Sequence, residues 1–249
     1  MMDRGFRYGM SVFESFPVHN GAGVFLDEHL KRLREACGIT GFAVPPGALE
    51  NCERPLKQAA NGFGRIYITA GDGPVTGKCD DCRVLIFVES REAIPARVYH
   101  RGYDLAIHPG SHLPIFAGLK TGNYWGNLQA FRDGVAAHYN ETLLFTPAGH
   151  LISACMANVF VLTGGKVLTP DSGTGAREGV VREWAMRHIH VEHTLITRAD
   201  LRDADEIFLT SSWLGIMPAA SVDGRPLEER KLGAMLLETY RRDVHGKPE

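Results

Sequence analysis

The chain has 249 residues, with 27 Lys+Arg against 29 Asp+Glu and a formal net charge of −2. Hydrophobic residues make up 44% and charged residues 22%, which excludes a chain disordered throughout. There is no positive excess to neutralise phosphates, so no nucleic-acid partner is expected, and no apolar run approaches the roughly 18–20 residues of a membrane helix.

The start, Met1-Met2-Asp3-Arg4-Gly5, is polar and has no signal-peptide core. Met10–Val18 alternates around Val12, Phe13 and Phe16 and predicts a strand, closed by the turn cluster His19–Gly23. Asp27 is a candidate cap for a helix with the apolar face Leu30, Leu33 and Cys37, ending at Gly38. Arg65–Thr69 and Arg83–Val88 predict strands on either side of a Gly-rich hairpin, and Val84–Val88 is the longest strongly apolar run. Ile94-Pro95-Ala96 predicts a break between two halves, 1–93 and 98–249. After it come a strand at Tyr103–Ile107 and a helix that Gly118–Tyr124 leads into, running to about His138. Strands follow at Glu141–Phe145, His150–Ala154, Asn158–Leu162 and Lys166–Leu168. A helix from about Gly179 to Arg187, a strand at His190–Leu195, a short helix near Ala199–Asp203, a strand at Glu206–Thr210 and a helix from about Glu228 complete the chain. Grouped strands with helices between them, without strict βαβ alternation, predict an α+β fold in two lobes.

Five cysteines, an odd and sparse set, read as reduced thiols in a cytoplasm. Cys79-Asp80-Asp81-Cys82 lacks a second ligand pair and precedes a strand, so a structural loop is expected there, not a metal or redox centre. His188, His190 and Glu192 alternate with Ile189 and Val191, the pattern of the wet face of a strand; no metal site is expected. There is no H-E-x-x-H, G-x-S-x-G or P-loop pattern.

Anion-binding features remain. Gly173–Arg182 runs from a Gly-rich loop into a helix, whose first N–H groups and dipole favour an anion. Thr210-Ser211-Ser212-Trp213 follows a strand and offers hydroxyls to such a guest, or simply makes a polar turn. Lys120 sits in Gly118-Leu119-Lys120-Thr121-Gly122, where the two glycines leave room for a bulky partner; by itself it reads as a solvated surface charge.

Asp3–Ser15 (DRGFRYGMSVFES) resembles the opening motif of class IV pyridoxal-phosphate aminotransferases, a family that includes branched-chain and D-amino-acid aminotransferases and aminodeoxychorismate lyase. Further segments resemble it in the same order: His29–Leu33, Gly118–Tyr124, Leu151–Phe160, Gly179–Arg182, Phe208–Ser212 and Val222–Pro226. The resemblance covers nearly the whole chain. It implies a two-lobed class IV fold with pyridoxal 5′-phosphate between the lobes and Lys120, in the larger C-terminal lobe, bonded to the cofactor. Arg32 would bind the phosphate, as would the backbone of Val180 and Val181 and the hydroxyl of Thr210 or Ser211. Tyr124 would contact the cofactor's phenolic oxygen or pack the following helix.

There are departures from the family pattern. Ser153 stands where the family places the Glu that keeps the pyridine nitrogen protonated, and Ala70 stands where many members have an arginine. The strand that many relatives carry before the opening motif is missing from this sequence or lies outside it. The implied function is transfer of an amino group between a small amino acid and an oxo acid, in a homodimer. Its rivals are β-elimination of the aminodeoxychorismate type, toward which Ala154–Asn158 leans, and cofactor binding without turnover, which Ser153 raises.

Overall fold

A computed structural model describes residues 2–59, 61–112, 116 and 118–245. Met1 and residues 246–249, inside the lobe boundaries expected from sequence, lie outside the described residues. The chain divides into two units, Met1–Ala93 with Leu119–Tyr124, and Ile94–Gly118 with Trp125–Glu249.

The first unit contains α1 (Arg4–Tyr8), β1 (Ser11–His19), β2 (Ala22–Gly23), α2 (Leu26–Thr40), α3 (Glu53–Lys57), β3 (Asn61–Thr69) and β4 (Arg83–Glu89). Its antiparallel sheet has the order β2-β1-β3-β4, with Phe13 opposite Tyr67 and Glu14 opposite Ile66. Phe16, Val18, Ile66 and Ile68 pack there with Leu30, Leu33 and Cys37 of α2, the apolar face expected from the sequence. The ends of α2 differ from expectation. Asp27 lies inside the first turn, Phe25 occupies the cap position, and the helix runs through Gly38 to Gly41 (φ 69°). Gly41 closes it by donating its N–H to the carbonyls of Cys37 and Gly38, a left-handed closure that suits glycine. Cys79 and Cys82 are buried in this core as free thiols, and Cys82 Sγ bonds the Cys79 carbonyl at 3.0 Å.

The second unit begins with α4 (Ala96–Arg101), β5 (Tyr103–Ser111), α5 (Trp125–Ala136), β6 (Glu141–Phe145), β7 (Leu151–Ala154), β8 (Asn158–Thr163) and β9 (Lys166–Pro170). It continues with α6 (Val180–His188), β10 (Glu192–Thr194), α7 (Arg198–Arg202), β11 (Glu206–Ser211), β12 (Gly215–Val222), β13 (Arg225–Pro226) and α8 (Lys231–His245). The strand order is β10-β9-β8-β11-β12-β5-β6-β7, with β13 paired to β12. Val159, Val161, Ile207, Leu209 and Met217 share one core, while Phe160 and Phe208 stack at 4.8 Å, so β8 and β11 are covered on both faces.

Two corrections concern this unit. Strand β12, not expected from the sequence, lies inside the sheet although it contains Pro218. Proline cannot donate to a ladder; here it directly precedes a register shift between Ala219 and Ser221, where regular pairing lapses. His188 does not share a strand face with His190 and Glu192. It ends α6, stacked on Trp184 at 4.1 Å, because the helix continues one residue past the expected boundary. Among the described residues no group of three or more His, Cys, Asp or Glu is placed to hold a metal, and no helix is long and apolar enough to cross a membrane.

Candidate active site

Lys120 belongs to the first unit, not to the C-terminal lobe where sequence placed it. The reason is backbone pairing. Phe13 N–H donates to the Lys120 carbonyl and Gly122 N–H to the Ser11 carbonyl, both at 2.9 Å, so this segment lies along the start of β1. Gly122 is required by close approach, not by openness: a Cβ there would collide with Ser11 Oγ. Gly118, at φ +78°, does have open space around it. Lys120 Nζ lies 4.6 Å from the Phe13 ring centroid and 5.6 Å from that of Tyr124. Phe13 stacks on Tyr67 at 4.7 Å and meets Tyr124 edge-on at 5.7 Å. An amine is thus held over an aromatic shelf by a fixed backbone.

Successive residues of a strand face opposite ways, so Phe13 carries this shelf while Glu14 turns toward α2. Arg32 donates to Glu14 through Nε to Oε1 at 2.8 Å and Nη2 to Oε2 at 2.6 Å. His29 Nδ1 lies 2.8 Å from Glu14 Oε2. Burial opposes ionisation of Glu14, but the Arg32 charge and the bonds from His29 and Arg32 outweigh it and hold the carboxyl far below its usual range. Burial lowers the pKa of His29 against the pull of Glu14, which favours a neutral ring with its proton on Nδ1. The Arg32 side chain is 20% exposed. Its orientation is therefore set by Glu14, a residue the sequence reading passed over because nothing in a strand pattern marks a buried acid.

The other expected residues lie in the second unit. Asn158 and Thr210 are opposite one another in the antiparallel β8–β11 pair, so their side chains share one sheet face. Asn158 Nδ2 donates to the Arg177 carbonyl at 2.7 Å, and a Cβ on Gly179 would strike Asn158 Oδ1. Gly179 is the extended cap of α6, without a side-chain hydrogen bond, and Val180 and Val181 form its buried first turn. Thr210 is 1% exposed, and its Oγ1 has no partner among the described residues. Ser211 differs: its Oγ accepts the Leu214 N–H at 3.1 Å. The helix start and the orphaned Thr210 hydroxyl fit a phosphate group, and the chemistry of Lys120 fits an aldehyde.

Ser153 is half-buried in β7, opposite Leu144. The buried acid nearest it in the fold's register is Glu141 of the adjoining β6, which the sequence reading also missed. Glu141 accepts N–H bonds from Thr142 at 2.8 Å and from Cys155 and Met156 at 3.1 Å, and the Cys155 thiol adds a fourth. Burial raises its pKa to about 7 in spite of those bonds. An ionised carboxylate has about four lone-pair sites, and in that state the turn uses all of them.

The chain is similar to known proteins over most of its length. The aminodeoxychorismate lyase of Bacillus subtilis (strain 168) is 28% identical over 236 residues, covering 89% of this chain and 80% of the relative. The branched-chain-amino-acid aminotransferase of Escherichia coli (strain K12) is 25% identical over 257 residues, covering 94% and 82%. The crystal structure of 4-amino-4-deoxychorismate lyase from Pseudomonas aeruginosa superposes with a TM-score of 0.88 at 25% identity, covering 99% of this chain and 95% of that one. The α+β class IV fold is therefore established. The pattern of amino-transferase class IV matches residues 11–222, and the chain belongs to that pyridoxal-phosphate-dependent family of aminotransferases and lyases.

Proposed function

We propose that this enzyme moves an amino group between a small amino acid and an oxo acid, with Lys120 as the catalytic amine. The observation that carries the reading is the Lys120 amine 4.6 Å from the Phe13 ring, on a backbone tied to β1. Pyridoxal phosphate, when bound, supplies an electron-withdrawing ring that stabilises negative charge at the substrate Cα. The chain supplies the rest. Lys120 would hold the cofactor through its amine and, when that amine is free, would carry the proton of the substrate Cα. In the first unit Arg32, held by Glu14, is the candidate phosphate ligand; in the second unit the candidates are the first N–H groups of α6 and Thr210 Oγ1. Tyr124 would flank the reacting end from its place beside Phe13.

Lyase chemistry is the second reading, favoured by Ser153. A hydroxyl does not bias the ring nitrogen toward its cation as a carboxylate does, and elimination drains charge into a leaving group. A homodimer is proposed as well, on the family resemblance alone. The free thiols support a reducing, cytoplasmic setting.

The test is a cofactor-loaded preparation offered a panel of amino donors and oxo acids with product analysis, beside borohydride reduction and peptide mapping. Amino transfer with the adduct on Lys120 is expected. An adduct on another lysine would refute the role of Lys120, and release of pyruvate and an aryl product without transfer would replace the first reading by the second. Sedimentation showing a fully active monomer would remove the dimer.

A further inference from the structure

Buried arginines in this protein show what a satisfied guanidinium looks like. Arg4, with no carboxylate on it, bonds five carbonyls, those of Ala70, Gly71, Pro74, Gly77 and Lys78. Arg182 is buried in α6 and is locked to Thr169 Oγ1 at 3.3 Å and the Pro170 carbonyl at 2.9 Å. Arg225 leaves Nε unpaired, but its Nη2 holds the Leu201 carbonyl at 2.7 Å and that of Ala204 at 3.2 Å. Arg177 is different. It is half-buried, its Nε is shielded from solvent, and among the described residues its guanidinium has neither a hydrogen-bond nor an ion-pair partner. A shielded guanidinium N–H without an acceptor is costly, so it calls for a ligand.

Its position says which kind. The Arg177 backbone is pinned by Asn158 Nδ2, two residues before the cap of α6. Asn158 shares its sheet face with Thr210, whose fully buried Oγ1 is also unpartnered. An open helix start, an orphaned hydroxyl and an orphaned guanidinium therefore belong to residues linked through Asn158 in the second unit. Arg182 of α6 is already committed. We propose that Arg177 is a cation of this anion site contributed by the second unit, and that its planar fork takes the phosphate of pyridoxal 5′-phosphate together with the helix start and Thr210. This rests on the pyridoxal-phosphate reading above.

The test compares pyridoxal 5′-phosphate, pyridoxal and inorganic phosphate as ligands of the full chain, in the unsubstituted protein, R177Q and R177K. R177Q is expected to weaken pyridoxal 5′-phosphate by about ten- to a hundredfold, with pyridoxal unchanged, since one charge-assisted contact is lost. R177K should recover part of the loss, because lysine restores the charge without the fork. It also serves as the informative variant if R177Q does not fold. An unchanged preference for the phosphorylated ligand in both variants overturns the proposal. If that preference stays while the KM for the oxo acid rises, Arg177 binds the substrate carboxylate and the proposal is likewise overturned. Inorganic phosphate separates this failure from failure of the functional reading. If the unsubstituted protein forms no covalent adduct yet binds phosphate and R177Q does not, the functional reading falls and the anion site stands. Equal phosphate binding by both proteins removes the site.

Discussion

Arg32 meets Glu14 fork to fork, at 2.8 Å through Nε and 2.6 Å through Nη2, and His29 closes on the same carboxylate at 2.8 Å. The acid comes from β1 and both bases from α2, so the contact also joins helix to sheet. Removing one partner of such a pair typically costs about 3–5 kcal/mol because a buried charge is left behind. The pairing fixes the Arg32 guanidinium before any anion arrives.

Arg32→Ala is expected to weaken pyridoxal 5′-phosphate binding by about one to two decades, the worth of one or two charge-assisted bonds. Glu14→Gln, which keeps the shape but loses the charge, should weaken it by about tenfold. Equilibrium binding of the double variant provides the check. If Glu14 acts only through Arg32, the double variant binds no worse than Arg32→Ala; additive losses would give Glu14 a separate role.

Glu14 also sets an acid dependence. Its folded pKa is depressed, so between its depressed value and the ordinary carboxylate range near about 4.3 the folded state binds fewer protons than the unfolded. The stability it contributes is present above that range and is lost as pH falls through it. Urea unfolding at a series of pH values should show a shallower acid limb for Glu14→Gln than for the unsubstituted chain. Parallel limbs would mean that the pair carries no such linkage.

Thr210→Val separates binding from folding. The Oγ1 atom is buried without a partner, so losing it should leave stability unchanged to within about 0.5 kcal/mol or raise it. If the hydroxyl serves the phosphate, cofactor affinity falls by about tenfold in the same variant. Thermal unfolding of the cofactor-free protein and a cofactor titration read the two quantities separately. Lower stability with unchanged affinity would make Thr210 a structural residue.

Glu141→Gln should destabilise the protein by about 1–3 kcal/mol, because an amide nitrogen would face the N–H groups of Thr142, Cys155 or Met156. The pKa of Glu141 is raised to about 7, chiefly by burial. The folded state thus holds its proton where the unfolded has lost it, so this contribution falls as pH rises from about 4.3 toward 7. Denaturant midpoints at acid and neutral pH should show the cost of the substitution shrinking as pH rises.

Ser153→Glu tests the reaction path. A carboxylate at this place should hold the ring nitrogen protonated and strengthen the charge sink, raising amino transfer or shifting products from elimination toward transfer. Glu141 is not an alternative partner, since its lone pairs are spent on the turn after Ser153. A variant that binds cofactor and changes neither rate nor product ratio would show that Ser153 does not set the path.

Most strands and helices were legible from periodicity, because Val12, Phe16 and Val18 in β1, or Leu30, Leu33 and Cys37 in α2, need only a one-dimensional pattern to define a buried face. The ordered motifs likewise pointed to the family and to Lys120 from residue identity alone. Strand β12 was not legible, since Pro218 argues against a strand until the register shift beside it is known. Nor was the partnership of Glu14, His29 and Arg32, or the link from Arg177 through Asn158 to Thr210. Each depends on residues 15 to 52 positions apart in sequence meeting across paired elements, as Glu14 and His29 or Asn158 and Thr210 do. A sequence specifies which face of an element is apolar; which polar groups find partners, and which are left for a ligand, is decided only when strands pair and helices pack, because hydrogen bonds act over about 3 Å.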